Sequence, residues 1–369
     1  MTPPTSHERF MRRALDAAKR AWGDTHPNPM VGAVIVENDT VVAEGFHARA
    51  GQPHAEPAAI RALGRRPAPG ATLYVTLEPC CTHGRTPPCT EAIKAAGFSR
   101  VVIGATDPNP AHAGHGFGIL RAAGIEVIAG VLADECEDLN LIFNRVITAG
   151  GPFVALKTAA TLDGRTATRT GESQWITGLD ARAETMRLRK LFPAIAIGSG
   201  TALADNPRLT ARLPDGESCP VRLVLDRRGR LADRTDLHVF SDAYRDRTVV
   251  VTGKDRATRF DAAGIATWSV DAETDADFFA ALKACCRDEG LAGVLVEPGA
   301  TLAGAWLDAR AADYLYHFAA PSLLADPAAR PLADGPARPT LAAAIRLRDI
   351  RRSFHGDDTL TRGAIVYPA

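Results

Sequence analysis

Two short segments, His54-Ala55-Glu56 and Pro79-Cys80-Cys81-Thr82-His83-Gly84-Arg85-Thr86-Pro87-Pro88-Cys89, carry the densest chemistry in the chain. Between them Thr72 to Leu77 reads as a strand, and helices are expected at Ala55 to Leu63 and Thr90 to Ala96. One imidazole (His54) and two thiolates (Cys80, Cys89) suit tetrahedral zinc with a fourth position open to water, the arrangement of a catalytic ion. Two thiolates cancel the charge of the ion, so the site tolerates partial burial. Both His54 and Cys89 stand at expected helix starts, where partial positive charge favours thiolate and carboxylate. Bound zinc lowers the pKa of water to roughly 7. Glu56, two residues from a ligand, is placed to take that proton and pass it on. A structural zinc knot is the alternative, and it needs a fourth protein ligand, with Cys81 or His83 as rivals. Against Cys81, adjacent residues at a strand end point in different directions.

A His-x-Glu segment followed by Pro-Cys and a second Cys is the pattern of zinc deaminases that act on nucleobases. Here eight residues rather than two separate Cys80 from Cys89.

Around this centre the chain alternates helix and strand. His7 to Trp22 is expected to form an amphipathic helix, followed by strands at Val31 to Val36 and Val41 to Gly45. After the metal segments come a strand at Arg100 to Gly104, a helix at Gly114 to Ala123 and a strand at Ile125 to Ile128. That is an α/β layered domain with a largely buried sheet. The breakers Gly150-Gly151-Pro152 mark a boundary, giving domains 1–150 and 151–369. In the second, strands are expected at Phe153 to Lys157, Ala194 to Gly198, Val221 to Leu225, Thr248 to Val251, Gly293 to Glu297 and Tyr314 to Phe318. Helices are expected at Leu179 to Leu191, Asp275 to Cys286 and Thr301 to Ala309, and Ala325 to Pro339 reads as a surface loop.

The chain has 369 residues, 46% hydrophobic and 23% charged, with formal net charge zero. Its length exceeds the usual size of one core. A balanced charge argues against a protein whose main task is gripping nucleic acid, and no stretch is long and apolar enough to span a bilayer. Of seven cysteines, three crowd into ten residues, which points to metal or catalysis rather than a disulfide framework and to the cytoplasm.

More than a generic deaminase pattern is present. Thr25-His26-Pro27-Asn28-Pro29-Met30-Val31-Gly32, Gly45-Phe46-His47, His54-Ala55-Glu56 and Glu78 through Cys89 closely resemble the bifunctional riboflavin-biosynthesis deaminase/reductases of bacteria. The Gly-Arg-Thr-Pro-Pro-Cys loop accounts for the cysteine spacing. Leu162-Asp163-Gly164-Arg165, Gly171-Glu172-Ser173-Gln174-Trp175-Ile176-Thr177, Thr201-Ala202-Leu203-Ala204-Asp205-Asn206-Pro207 and Thr301-Leu302-Ala303-Gly304 look like the reductase half of that family. The resemblance implies a cytidine-deaminase-like three-layer domain followed by a dihydrofolate-reductase-like α/β domain. It also implies deamination of a diaminopyrimidinone ribosyl phosphate, then reduction of the ribosyl group to ribityl, with one zinc ion per chain and NADPH as cofactors. The partner is that small molecule, not nucleic acid or membrane, and family habit implies a homodimer or higher oligomer.

By family position, Asn28, His47 and Arg85 lie near the deaminase substrate; an amide and a basic group suit a pyrimidine edge and a phosphate. Taken alone, Asn28 between prolines reads equally as a turn and Arg85 as a solvated loop charge. In the reductase half, Ala159, Trp175, Thr201, Asp205 and the turn Gly299, Ala300, Thr301, Leu302, Ala303, Gly304, Ala305 are implied to contact NADPH. Ser173, Arg189, Leu209, Arg212 and Glu297 are implied to contact substrate, with Arg189 and Arg212 as a phosphate clamp. Lys157 reads as a substrate contact or as a snorkelling lysine at a strand edge. Trp175 read alone is a core aromatic, and Arg189 an exposed helix charge. Gly198-Ser199-Gly200 and Gly299 to Gly304 each follow an expected strand and open toward a helix, where amides can cradle phosphates. Neither fits the full Gly-x-Gly-x-x-Gly pattern. Where the family usually has a small hydroxyl residue after Asp226, this chain has Arg227-Arg228, and one of them is expected to pair with the cofactor 2′-phosphate. Two other classes of function stay open: a nucleic-acid or nucleoside deaminase with an unrelated module, and a non-catalytic zinc-stabilised binding protein. Glu56 speaks against the latter, since a structural site needs no proton shuttle.

Overall fold

The computed structural model describes residues 5–83 and 87–368. The chain divides into two compact units, Met1–Gly150 and Gly151–Ala369.

In the first unit the elements are α1 (Ser6–Lys19), β1 (Gly32–Glu37), β2 (Thr40–Phe46), α2 (Ala55–Leu63), β3 (Thr72–Leu77), α3 (Cys89–Ala96), β4 (Arg100–Ala105), α4 (His115–Ala122), β5 (Glu126–Ala129), α5 (Ala133–Leu139) and α6 (Leu141–Ala149). The sheet order is β2-β1-β3-β4-β5; β1 runs antiparallel to both its neighbours, and β3, β4 and β5 are parallel. Alternate residues of the central strands face opposite sides. Ala33, Ile35, Leu73, Val75, Val101 and Ile103 pack with Ala55 and Ala59 of α2, Ile93 of α3 and Leu120 of α4. On the other face Tyr74 meets Phe10 of α1, with ring centroids 5.2 Å apart. These are the three layers. Gly45 fixes the seat of α2: a Cβ there would strike the backbone of Ala55, Ala58 and Ala59. The start of α2 is thereby held flat against the sheet.

The second unit contains β6 (Phe153–Thr161), β7 (Arg165–Ala167), α7 (Leu179–Leu191), β8 (Ala194–Gly198), α8 (Ser199–Asp205), β9 (Ala211–Leu213), β10 (Gly216–Ser218), β11 (Val221–Leu225), α9 (His238–Ser241), β12 (Thr248–Thr252), α10 (Lys254–Ala262), β13 (Ala266–Ser269), α11 (Asp275–Asp288), β14 (Gly293–Val296), α12 (Ala300–Asp308), β15 (Tyr314–Ala320), β16 (Arg330–Pro331), β17 (Arg346–His355) and β18 (Asp358–Val366). A nine-stranded sheet has the order β13-β12-β11-β8-β14-β6-β15-β18-β17. It is parallel from β13 to β15 and closes with an antiparallel hairpin, β17 and β18. One face packs Val154, Leu156, Ala194 and Val294 against Phe278, Phe279 and Leu282 of α11 and Trp306 of α12. The opposite face packs Ile195, Ile197, Val224 and Val250 against Ala202 of α8, Val239 of α9 and Phe260 of α10. Adjacent strands β8 and β14 therefore send their following helices to opposite faces, which opens a crevice between them at their carboxyl ends.

Several elements went unforeseen. The acidic stretch before Asn140 masked α5, and α6 follows it directly. The edge strand β17 has most of its residues exposed, so it lacks an apolar alternation to read. Strand β6 also runs four residues beyond the expected end at Lys157.

Candidate functional site

In the first unit His54 is the N-cap residue of α2, with extended backbone and no side-chain capping bond, so its imidazole is available. Cys80 follows β3, and Cys89 opens α3 after Pro88. His54, Cys80 and Cys89 each offer a ligand atom, and these atoms lie within 4.8 Å of one another. His54 Nδ1 is 3.2 Å from Cys89 Sγ and 3.6 Å from Cys80 Sγ. Zinc bond lengths at tetrahedral angles place such a nitrogen and sulfur ~3.6 Å apart. The donor set and its spacing fit zinc.

The rivals for a fourth ligand stand outside this group. Cys81 Sγ turns toward His112 Nδ1 at 3.6 Å, and His83 is exposed. Among the described residues the cluster has three members. Arg85 lies outside the described residues.

The Cys89 thiol and then His54 hold the Cys80 thiol down to about 4, while Cys80 pushes the Cys89 thiol up. The Cys89 amide also donates to Cys80 Sγ at 3.3 Å. Glu56, in the first turn of α2, is 3% exposed, and burial pushes its carboxyl up to about 7. A carboxyl poised near neutrality suits proton transfer in both directions.

Asn28 and His47 stand beside the ligands. His47 packs edge-on to His54, with ring centroids 5.4 Å apart. Its Nδ1 is 3.1 Å from the Pro53 carbonyl, which only accepts, so Nδ1 carries the hydrogen. Nε2 is then the acceptor for Asn28 Nδ2 at 3.1 Å, which orients the Asn28 amide. Burial pushes the His47 imidazole down, consistent with this neutral tautomer. Glu78 has a role that the sequence reading missed. Its Oε2 accepts from the amides of Asp107 (3.2 Å) and Gly114 (3.0 Å), and its Oε1 from Gly116 (2.9 Å), so it ties down the loop opposite Cys81. Only its place beside Pro79-Cys80 could have signalled this.

In the second unit the crevice between β8 and β14 gathers most of the expected residues. Thr201 and Asp205 are on α8; Gly299 precedes α12 and Glu297 directly follows β14. The two helix starts face each other: a Cβ on Gly299 would lie 3.5 Å from Thr201 Oγ1, and one on Gly198 3.5 Å from Leu302 Cδ2. Two adjacent first turns with small residues form a cradle that fits a dinucleotide's phosphates. The cradle is narrower than the segment 299–305. The Ala303 amide already donates to Gly299 O, and Gly304 is buried against the backbone of Asp334, where any Cβ would collide. Ala305 lies further along the same helix. The amides of Ala300, Thr301 and Leu302, in the first turn, remain open.

Lys157 does not sit at a strand edge: it lies in the middle of β6, a central strand, with Ala159 on the same side. Burial pushes its ammonium down, partly offset by Glu297. Arg189 forks onto Glu297 (Nε to Oε1 2.7 Å, Nη2 to Oε2 2.8 Å) and donates Nη1 to Thr210 O at 3.1 Å. It is not an exposed helix charge, and two of its five N–H groups are left for a ligand. Burial alone would raise the Glu297 carboxyl, but Arg189 overrides it and holds Glu297 at about 2. Arg212 is exposed and donates to Thr210 Oγ1 at 2.8 Å. The Leu209 side chain is 1% exposed, so only its backbone can meet a ligand. Ser173 Oγ reaches Asp205 Oδ1 at 3.4 Å. Trp175 is no core aromatic: it is 68% exposed, with the Arg182 guanidinium 4.3 Å from its ring centroid. Arg227 is engaged by Asp275 and by Ala272 O, which leaves Arg228 as the exposed member of that pair.

Comparison with known proteins agrees with both halves. The family description "RibD C-terminal domain" matches residues 152–359, and "Cytidine and deoxycytidylate deaminase zinc-binding region" matches residues 4–105. The chain is 41% identical over 336 residues to a riboflavin biosynthesis protein RibD of Bacillus amyloliquefaciens, covering 89% of this chain and 88% of the relative. It is 38% identical to the RibD of Actinobacillus pleuropneumoniae, covering 97% and 95%. Among solved structures, Acinetobacter baumannii RibD superposes with TM-score 0.81 at 36% identity, covering 98% of this chain and 99% of that one. A Thermotoga maritima protein described as a diaminohydroxyphosphoribosylaminopyrimidine deaminase/5-amino-6-(5-phosphoribosylamino)uracil reductase superposes with TM-score 0.82 at 35% identity, covering 99% of each. With relatives this similar over almost its entire length, the chain belongs to the RibD family of riboflavin-biosynthesis proteins.

Proposed function

We propose that this chain carries two consecutive steps of riboflavin biosynthesis. Residues 1–150 hydrolytically deaminate the diaminopyrimidinone ribosyl phosphate, and residues 151–369 reduce the ribosyl group of the product, 5-amino-6-(5-phosphoribosylamino)uracil, to ribityl. The observation that carries the reading is the convergence of His54, Cys80 and Cys89 beside the buried carboxyl of Glu56.

In the first step His54 and the thiolates of Cys80 and Cys89 would hold zinc, which when bound would supply an acidified water. Glu56 takes a proton from water and returns protons to the ring nitrogen and the departing amine, so that water oxygen replaces the amino group and ammonia leaves. Asn28, oriented by His47, presents its free amide edge to the pyrimidine, and Arg85 takes the phosphate.

In the second step NADPH supplies the hydride. Thr201, Asp205, Ala159 and Trp175 position it, with the turn from Gly299 through Ala305 contributing its first amides. Arg212 and the remaining N–H groups of Arg189 take the ribose phosphate, while Ser173, Lys157, Glu297 and the backbone at Leu209 hold the sugar. The protein works in the cytoplasm as a homodimer or higher oligomer, a state read by light scattering.

The test is a coupled assay on purified protein with the diaminopyrimidinone substrate and NADPH absorbance. A chelator stops turnover of that substrate and spares reduction of the already deaminated intermediate. Equal loss of both reactions refutes the assignment of the two domains.

A further inference from the structure

Arg222 sits inside the apolar run of β11 with its side chain fully buried. All five of its N–H donors are used. Nε donates to Thr248 Oγ1 at 2.8 Å; Nη1 donates to Asp242 Oδ2 at 2.7 Å and Arg208 O at 3.0 Å; Nη2 donates to Asp242 Oδ1 at 2.9 Å and Val239 O at 3.0 Å. Four of these bonds tie β11 to β12, to α9 and to Asp242 just after it. The fifth, to Arg208 O, reaches the loop between α8 and β9.

That loop is unusual in its backbone. Asn206 has φ 39° and Leu209 has φ 58°, both in the left-handed region without being glycine. Such backbone is strained and persists where neighbours over-determine it. Three carbonyls at alternate positions supply that constraint. Asn206 O meets His238 Nδ1 at 2.9 Å, Arg208 O meets Arg222, and Thr210 O meets Arg189. The side chain of Leu209 is driven into the core, and Arg212 leaves the loop braced on Thr210 Oγ1.

We infer that Arg222 is a positioning residue for reduction: its bond to Arg208 O sets the left-handed turn at Leu209 and thereby the place of Arg212 and of the Thr210 carbonyl that aligns Arg189. The inference rests on the reading of Leu209, Arg212 and Arg189 as the substrate's contacts. Its prediction separates two functions of one side chain. The Asp242 pair supports the fold, and the Arg208 bond supports substrate affinity.

Two variants of the full chain test it, each assayed on the deaminated intermediate at saturating NADPH. Arg222→Lys keeps a charge opposite Asp242 but cannot span to Arg208 O. It raises KM by roughly tenfold, the scale of one lost charge-assisted bond, with kcat within about threefold. Binding of NADPH, followed by its fluorescence, stays unchanged. Asp242→Asn weakens the ion pair and leaves the Arg208 bond, so it lowers the melting temperature with KM unchanged. A KM unaffected by Arg222→Lys, or a KM that rises in step with lost stability in both variants, overturns the proposal. Should Arg222→Lys show no cooperative melt, Asp242→Asn decides alone: an unchanged KM supports the inference and a raised one sinks it. Failure of the wild-type protein to reduce the intermediate would instead count against the proposed function.

Discussion

Glu56 joins the chemistry of the metal centre to the physics of burial. A carboxyl that is 3% exposed and pushed up to about 7 can exchange a proton near neutral pH without leaving its place. Glu56→Gln preserves shape and removes that exchange. Ammonia release then falls by roughly 10²- to 10⁴-fold while zinc content by elemental analysis stays at one per chain. A variant that loses zinc and activity together would make Glu56 a ligand rather than a proton carrier. Glu297 shows the opposite shift, held at about 2 by Arg189. A depressed carboxyl contributes stability that is complete above its unfolded value of 4.5 and is lost as pH falls through about 2. Thermal melts of the wild type therefore decline across that acid window, and Glu297→Gln, already weakened at neutral pH, declines less steeply. Parallel acid limbs would show that the pair lacks this linkage.

At the scale of elements, the metal donors depend on where α2 and α3 begin, and α2 depends on Gly45. Gly45→Ala puts a methyl group against helix backbone that cannot rotate away. The expected cost is about 1–3 kcal/mol. Because α2 carries His54 and Glu56, zinc affinity falls with stability; a variant with a lower melting temperature and unaltered zinc affinity would uncouple the two. This centre was legible in the sequence because its donors lie in two short segments whose neighbours are an apolar strand and two helix starts. The reductase crevice was not legible from spacing. Its halves, Gly198 and Gly299, are far apart in the chain, and only the pairing of β8 with β14 brings them together. Lys157 was misplaced at an edge because a strand buried on both faces has no alternation to mark its end. Arg222 passed unnoticed since an arginine in an apolar run looks like an interruption until Asp242 and Arg208 are seen beside it.

Across the whole molecule each unit closes its own core. One core draws on Ala33 through Val127, the others on residues from Val154 onward. Neither needs the zinc centre to complete the sheet that carries hydride chemistry, which is the physical basis for expecting a chelator to silence one reaction and spare the other. Among the described residues no helix is long and apolar enough to cross a membrane.

The divergence of α8 and α12 to opposite faces has an evolutionary reach. Where topology alone aims main-chain groups into a cleft, the letter at Ala300 is free to wander so long as it stays small enough to let the two turns approach, whereas Thr301 reaches Asp334 and Leu302 packs against the core. Mutational scanning should therefore look permissive at Ala300 beside the intolerance of Gly304, whose neighbour is the polypeptide itself.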